Sequence, residues 1–231
     1  ISLSEQATCL AVEKMPALRQ KPSVVIPHGH YRPVYPRTMT PTEARERLGF
    51  EPHHRVGLYF GSIREYKNVP ALLRSFRSVR GPDRRLLVVG NPHTSNLRDR
   101  VQEEADQDPR ATAVLRFVPE EAVQQYFLAA DLAVVPQREF LNSGSALLAL
   151  SFDRPVLVPS RGAMGELQAE VGAAWVRTYE GTLTANTLAA AMEWANAAHR
   201  PARAPLGDRA WPRLARQTEQ LYHRVRRRAH A

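Results

Sequence analysis

Cysteine is almost absent from this 231-residue sequence, which contains only Cys9. A single thiol cannot close an internal disulfide, which fits a reducing compartment such as the cytoplasm. Long apolar runs are missing too, because no stretch approaches the ~18 consecutive apolar residues that a membrane-spanning helix needs. The opening residues do not resemble a signal peptide and include no initiating Met, so we expect the chain to be a piece of a longer cytoplasmic protein.

Several compact catalytic and cofactor-binding motifs are also missing from the sequence. No Gly-x-Gly-x-x-Gly follows the first predicted strand, which argues against a dinucleotide cofactor, and the Walker lysine loop is absent. Neither the Gly-x-Ser-x-Gly nucleophile turn nor the His-Glu-x-x-His zinc motif occurs. His28 and His30 flank Gly29, but no cysteine or third histidine stands nearby. We therefore expect no metal, no cofactor and no complete set of catalytic residues within the chain.

Lysine is scarce, although the chain is strongly basic. Only Lys14, Lys21 and Lys67 occur among 32 basic residues, against 23 acidic ones, and the formal net charge is +9. A GC-rich genome explains the excess of arginine without any function. The functional alternative is an anionic ligand or a membrane surface, and the arginine-rich tail from Arg224 to Arg228 favours peripheral membrane contact. Nucleic acid is not an expected partner, because no aromatic residues interleave with the basic ones.

What the sequence does contain is a regular alternation of short apolar runs and helical patterns. This alternation predicts an α/β fold with a doubly wound, six-stranded parallel sheet of the Rossmann-like type. A helix precedes the sheet and a long helix follows it, beyond the breaker-rich residues 200–205. The predicted strands are residues 55–60, 85–89, 113–117, 131–136, 155–159 and 174–176.

The corner at residues 61–68 has the strongest chemical character. A strand ends at Gly61, the loop carries Ser62, Arg64 and Lys67, and a helical pattern begins near residue 69. Glycine lets the backbone approach a ligand, cations attract phosphate, and a helix start offers unpaired N–H groups. The corner therefore predicts a phosphate site. The alternative is a cation-bearing turn that only keeps the protein soluble.

A second candidate phosphate site lies between the fourth strand and the helix after it. Asn142 or Ser143 is suited to cap that helix, and Gly144 and Ser145 leave its first backbone N–H groups accessible. An ordinary capped helix between two buried strands is the alternative. Further candidate ligand residues stand in other loops on the same edge of the sheet, where a planar base and a polar ligand are expected: Gly90, Asn91, Phe117, Val118 and Glu139.

The order and spacing of these motifs resemble the nucleotide-sugar half of the family 4 glycosyltransferases. The likeness covers about residues 24–225 and rests on the segments VIPHG, FGSIREYKN, LVVG, RFVP and AADLAVVP, followed by residues 142–150 and RPVLVP. It implies the C-terminal half of a two-domain GT-B fold. Residues 1–22 then correspond to the tail of an acceptor-binding domain, residues 23–205 to the donor-binding domain, and residues 206–231 to a helix that crosses back.

The resemblance also assigns roles to residues. It implies that Lys67 and the helix start at residues 143–145 contact the donor diphosphate, while the loops at residues 90–93 and 117–119 border the base. Two positions depart from the family pattern. Ser62 stands where the family usually has arginine, with Arg64 nearby, and Leu148 replaces the second of two glutamates whose first position adjoins Glu139.

The implied activity is transfer of a sugar from a UDP- or GDP-linked donor to a glycan, lipid-linked glycan or small-molecule acceptor, with retention of configuration. We expect the acceptor-side base outside this chain, so that the chain alone binds nucleotide without turnover. The setting implied is bacterial polysaccharide or glycoconjugate synthesis at the inner face of the membrane. Two alternatives stay open: a non-catalytic or split donor-binding subunit, and a sugar-nucleotide epimerase of the same fold.

Overall fold

A parallel sheet forms the centre of the protein, whose computed structural model describes residues 1–137, 144–197 and 199–229. Its strands are β1 (Arg55–Phe60), β2 (Arg84–Val89), β3 (Ala111–Val114), β4 (Leu132–Val134), β5 (Val156–Pro159) and β6 (Val176–Tyr179). They lie in the order β3-β2-β1-β4-β5-β6, and all neighbouring pairs are parallel. The predicted six-stranded, doubly wound α/β fold is confirmed.

Helices cover both faces of the sheet. Against one face pack α2 (Pro41–Arg47), α5 (Glu120–Ala129), α6 (Gly144–Ser151) and α7 (Met164–Val171). Against the other pack α3 (Val69–Arg77), α4 (Ser95–Asp106) and α8 (Ala185–Ala197). The chain opens with α1 (Glu5–Lys14), and α9 (Trp211–Ala229) is the long final helix.

Alternation along the strands divides the core into two layers. On β1, Leu58 belongs to the cluster on the α5 and α6 side, whereas Tyr59 belongs to the cluster on the α3 and α8 side. Successive strand side chains point to opposite faces, so a strand buried on both faces is apolar throughout. The parallel rings of Phe127 and Phe152, with centroids 5.0 Å apart, lie at the centre of the first layer.

Charged side chains at the amino ends of the strands are paired. Asp131 lies just before β4. Its two carboxylate oxygens accept hydrogen bonds from Arg45 Nη2 at 2.8 and 2.7 Å, and Oδ2 also accepts from the Val56 N–H of β1 at 2.8 Å. Asp153, before β5, contacts Arg32 at 2.7 Å and Arg37 at 2.6 Å. These pairs tie the strand entrances to loops that are distant in sequence.

Three strands differ from the prediction by two or more residues. β4 covers Leu132–Val134 rather than residues 131–136. β3 begins and ends earlier than residues 113–117, because its register with β2 pairs Leu86 with Ala111 and Val89 with Val114. β6 begins at Val176 rather than near residue 174, because Gly172, with φ of 96°, starts a turn that runs through Trp175. The apolar run at residues 23–26 forms no strand, and its one sheet-like contact is a single bridge between Ser2 and Val25.

The chain start and the final helix both contact the body of the protein. The Glu166 carboxylate accepts hydrogen bonds from the Glu5 and Gln6 N–H groups at 3.0 and 2.9 Å. The Trp211 ring lies against Gly29, and its N–H donates to the His30 carbonyl at 2.9 Å. The division at residues 22 and 205 stays a prediction. Within the described ranges, we find no helix with the length and apolarity that a membrane span requires.

Candidate functional site

The candidate site lies where the sheet changes direction. β1 and β4 are neighbours although they are not consecutive, and in open α/β sheets ligands bind outside the carboxyl ends of the strands at such a switch point. The β1 exit and the start of α6 meet there. A Cβ atom placed on Gly61, whose φ is 137°, would stand 3.1 Å from the Ser145 hydroxyl oxygen. The fold thus brings the two predicted phosphate corners together.

The β1 exit is held in one shape by its own side chains and by the β2 exit. The Tyr59 hydroxyl donates to the Ser62 carbonyl at 2.8 Å, and the Ile63 side chain is completely buried. The Ile63 N–H donates to the Asn91 carbonyl at 3.0 Å, and its carbonyl accepts from the His93 N–H at 2.9 Å. Because both ends of the loop are fixed, Ser62 and Arg64 remain at the surface as exposed residues.

Glycine is required where the β1 and β2 exits touch. A Cβ atom on Gly90 would lie 1.8 Å from the carbonyl oxygen of Gly61, a distance that no side chain permits. The two loops therefore approach each other through backbone alone. This contact places the loop that carries Lys67 directly beside the loop that carries Asn91.

Lys67 is a desolvated cation at the switch point. It ends the 3₁₀ turn Glu65–Lys67 and is half-buried, with its ammonium 5.3 Å from the Tyr66 ring centroid. Burial, and after it the charge of Arg64, lowers the pKa of the Lys67 ammonium. Across the described residues no carboxylate forms an ion pair with it. An anionic ligand would supply the missing partner and raise this pKa.

A narrow crevice joins Lys67 to the start of α6. It is lined by Lys67, Ser145 and Gln137, together with apolar residues of β1 and β4. Gly144 begins α6, where a Cβ would approach the Tyr31 hydroxyl to 3.2 Å. The predicted ligands Glu139, Asn142 and Ser143 lie outside the described residues. Leu148, where the family has a glutamate, is buried in the core against the sheet.

A larger cavity of about 490 Å³ opens at the carboxyl ends of β1, β2 and β3. Seven residues that the sequence singled out line it: Gly61, Ser62, Arg64, Gly90, Asn91, Phe117 and Val118. The Phe117 side chain is 74% exposed, because β3 ends at Val114 and leaves the ring beyond the sheet. An open aromatic face of this kind is suited to stacking against a planar ring.

Sequence reasoning missed other groups in this region. Tyr35, Arg116 and Glu120 also line the large cavity, and Gln137 lines the crevice. Tyr35 comes from a loop far away in sequence, so no local pattern marks it. Arg116 and Glu120 flank the Phe117–Val118 pair and were within reach of the same reasoning. Gln137, only 2% exposed, lies three residues after the end of β4, and a polar residue close behind a buried strand is a usable signal.

Comparison with known proteins decides the family. The family model described as Glycosyl transferases group 1 matches residues 54–196, which contain most of the sheet and the candidate site. A GDP-mannose:glycolipid 4-beta-D-mannosyltransferase from Xanthomonas campestris pv. campestris is 38% identical over 198 residues. The chain belongs to the group 1 glycosyltransferases. The resemblance inferred from the sequence is therefore confirmed.

The match covers most of this chain but only about half of the Xanthomonas relative. It covers 86% of the present chain but 53% of the relative, so the chain spans about half the length of the curated relatives it matches. Two solved structures share the fold. Sucrose-phosphate synthase from Thermosynechococcus elongatus has a TM-score of 0.70 at 24% identity, covering 97% of this chain and 57% of that one. Anabaena HepE, solved in complex with UDP-glucose, has a TM-score of 0.71 at 13% identity, covering 97% and 62%.

Proposed function

We propose that this glycosyltransferase chain is the half that binds the nucleotide-sugar donor. The observation that carries the proposal is the 490 Å³ cavity together with the Lys67 crevice at the switch point, two spaces that share Phe60 in their linings. A cavity with an exposed aromatic ring fits a base, and a desolvated cation facing a helix start fits a diphosphate. In this proposal the donor-binding residues are Gly61, Ser62, Arg64, Lys67, Gly90, Asn91, Phe117, Val118, Gly144 and Ser145, with Glu139, Asn142 and Ser143 as further predictions.

The chain's chemical role in this proposal is stabilisation of the leaving group. When the bond between the anomeric carbon and the diphosphate breaks, the electron pair stays on the diphosphate oxygen. In this proposal, Lys67 and the N–H groups of Gly144 and Ser145 at the α6 start meet that charge. The acceptor oxygen forms the new bond and loses its proton to a base outside this chain. No metal or cofactor takes part in this proposal.

A guanine base suits the large cavity better than uracil does. Among the described residues that line it, Glu120 is the acidic one, and the exposed Phe117 ring lines the same cavity. The base edge of guanine presents N–H donors, including its N2 amino group, and a carboxylate accepts from donors. The named donor of the Xanthomonas relative is GDP-mannose. We propose a GDP-sugar as donor, with Glu120 reading the base.

The acceptor in this proposal is a glycolipid, as in the name of the Xanthomonas relative. Arg224, Arg226 and Arg227 are exposed near the end of α9, and Tyr222 is 64% exposed beside them. Clustered arginines attract anionic lipid headgroups, and each contributes ~1 kcal/mol near the surface. Sedimentation with vesicles containing phosphatidylglycerol tests this contact. Equal sedimentation of the chain and its Arg224→Gln/Arg226→Gln/Arg227→Gln variant would refute it.

The stereochemical course has its own test. The family resemblance implies retention, whereas the name of the Xanthomonas relative describes a β-linked product. From an α-linked donor, retention gives an α product and inversion a β product. NMR of the anomeric proton in the product of the whole enzyme distinguishes the two, and a β product from an α donor would overturn retention.

Calorimetry with GDP and UDP tests the donor-binding proposal. We expect the chain to bind GDP more tightly than UDP, and we expect Lys67→Ala to weaken binding by ~1.5–3 kcal/mol, the range for hydrogen bonds to charged groups. Lys21→Ala is the matched control, because Lys21 is exposed and far from the site in sequence. Failure of both nucleotides to bind the unaltered chain at about 1 mM would refute donor binding.

Transfer itself separates the remaining alternatives. The chain spans about half the length of its curated relatives. We therefore expect it to bind nucleotide but not to cleave a GDP-sugar to GDP, with or without a glycolipid acceptor. Transfer on addition of a separate acceptor-domain polypeptide would favour a split enzyme. Interconversion of donor sugars without an acceptor would favour an epimerase instead.

A further inference from the structure

A second polar pocket lies on the same edge of the sheet, beyond the proposed donor cavity. It has a volume of about 290 Å³ and is formed where β4, β5 and β6 end and α3 begins. Of the described residues that line the 490 Å³ cavity, none lines this pocket as well. The lining residues that can hydrogen-bond through their side chains are Asn68, Gln137, Arg161, Tyr179 and Thr182.

Gln137 gives this pocket an unsatisfied acceptor. Its side chain is 2% exposed, and its Oε1 atom has no hydrogen-bond partner among the residues that the structure describes. An unpaired buried polar atom costs about 1–3 kcal/mol, so such atoms call for an explanation. The Oε1 atom is closed off in the ligand-free chain, so a ligand hydroxyl would satisfy it once the Gln137 side chain turns toward the pocket.

Arg161 gives the pocket an unpaired cation. It is exposed after β5 and forms no ion pair with any carboxylate in the described part of the chain. Among the residues that the structure describes, no acidic one lines the pocket, and the neighbouring Glu180 is exposed and outside the lining. A guanidinium in this setting presents a planar fork that matches a phosphate or a carboxylate.

Two further groups can bond to hydroxyls. The Tyr179 ring is buried, and burial raises the pKa of its hydroxyl to about 12, so this group keeps its proton at neutral pH. Asn68 adopts the left-handed conformation with φ of 56°, and its side chain makes no capping hydrogen bond to α3. Its amide is therefore available at the rim of the pocket.

We propose that this pocket binds an anionic monosaccharide, with the phosphate or carboxylate on Arg161 and a hydroxyl donating to Gln137 Oε1. A cation, an unsatisfied amide oxygen and a protonated phenol together match a ligand that carries both a negative charge and several hydroxyls. A neutral sugar would leave Arg161 unpaired, and a simple anion would leave Gln137 unpaired. The pocket shares Gln137 with the Lys67 crevice but no described residue with the 490 Å³ cavity, and Arg161 lines this pocket and neither of the other two, so the two proposals can fail separately.

NMR titration of the ¹⁵N-labelled chain tests the site with three probes: glucose 6-phosphate, glucuronate and glucose. We expect one or both anionic sugars to shift the backbone signals of Gly181 and Thr182 at about 10 mM, tenfold above a Kd of 1 mM. Glucose should leave these signals in place. Equal shifts with glucose, or no shift with either anionic sugar, would overturn the proposal. Anion-induced shifts at Gly61 and Gly90 instead would also overturn it, whereas GDP-induced shifts there report donor binding separately.

Variants assign the two key contacts. Arg161→Gln should weaken binding of the anionic sugar about tenfold or more, as expected for loss of a charged hydrogen bond. Arg98→Gln is the matched control, because Arg98 is an exposed arginine on α4 at some distance in sequence. Gln137→Met should weaken the anionic sugar severalfold and leave inorganic phosphate unchanged, since phosphate alone needs only the cation. Unchanged sugar affinity in Arg161→Gln, with an unchanged melting temperature, would refute the proposal.

Discussion

The two edges of the sheet use charge in opposite ways. At the amino edge, cations and carboxylates are paired: Arg45 with Asp131, Arg55 with Asp83, and Arg110 with Asp108. At the carboxyl edge, Lys67 and Arg161 have no acidic partner within the described ranges. Paired charges hold strand entrances in register, whereas unpaired cations in clefts are placed for ligands. The difference separates residues that stabilise the fold from residues that bind.

The largest expected effect breaks the amino edge. Asp131→Ala removes the acceptor of Arg45 and of the Val56 N–H, and it leaves a partly buried guanidinium without a partner. We expect a loss of about 3 kcal/mol in the free energy of unfolding. GDP affinity, measured where the variant is folded, should not change. Urea denaturation with calorimetry checks both, and a variant that loses affinity while keeping stability would contradict the comparison.

Lys67 should show the reverse pattern. Lys67→Met keeps the apolar stem but removes a charge whose burial lowers its pKa. GDP binding should weaken by ~1.5–3 kcal/mol, because the diphosphate loses a charge-assisted partner. Stability of the ligand-free chain should not fall, since the charge is desolvated there without compensation. Thermal melting with and without GDP makes both measurements, and a large drop in ligand-free stability would contradict the binding role.

We expect acid to destabilise the fold by protonating Asp153 at the amino edge of the sheet. Burial alone would raise the pKa of Asp153, but hydrogen bonds from Arg37, the Ala204 N–H and Arg32 outweigh it and lower that pKa below its ordinary value of 3.8. The stabilisation is therefore fully present well above pH 3.8 and is lost as the pH falls through the folded-state value. We expect Asp153→Asn to flatten the fall in stability below about pH 4. A profile parallel to that of the unaltered chain would contradict this assignment.

The smallest expected effect compares one arginine from each edge. Arg64 is exposed at the carboxyl edge. At the amino edge, the Arg55 side chain is 35% exposed and pairs with Asp83 at 3.1 Å. Arg64→Gln should change stability by less than about 0.5 kcal/mol but weaken GDP binding measurably, whereas Arg55→Gln should cost up to about 1 kcal/mol of stability. Calorimetry and denaturation of the two variants side by side test the contrast. Unchanged GDP affinity in Arg64→Gln would assign the diphosphate contact to Lys67 and the α6 start alone.

The local sequence predicts β1 and the residues that follow it better than it predicts the end of β3. The run at residues 55–60 predicts β1 with its observed bounds, because a strand buried on both faces is apolar throughout. Gly61 and Lys67 follow it directly, so their place at the site could be read from the chain. β3 ends three residues earlier than predicted, since pairing with β2 rather than apolar character sets its end.

Other contributors depend on the order of the strands and could not be read locally. Tyr35 reaches the large cavity from a loop before α2, and Arg161 and Gln137 line one pocket because β5 lies beside β4. The roles of Glu139, Asn142 and Ser143 stay predictions. The family resemblance supplied the diphosphate role of Lys67, but the unpaired acceptor on Gln137 became visible only with the packing around it.

The backbone contact between Gly90 and Gly61 also fixes the distance between the two loops. No side chain lies between the two loops. The proposed base position at Asn91 and Phe117 is therefore a fixed distance from the proposed phosphate position at Lys67. A ligand that fills both must have the matching length. We therefore expect the site to rank nucleotides by phosphate count, with GDP bound more tightly than GMP, and to lose that ranking when Gly90→Ala forces the loops apart.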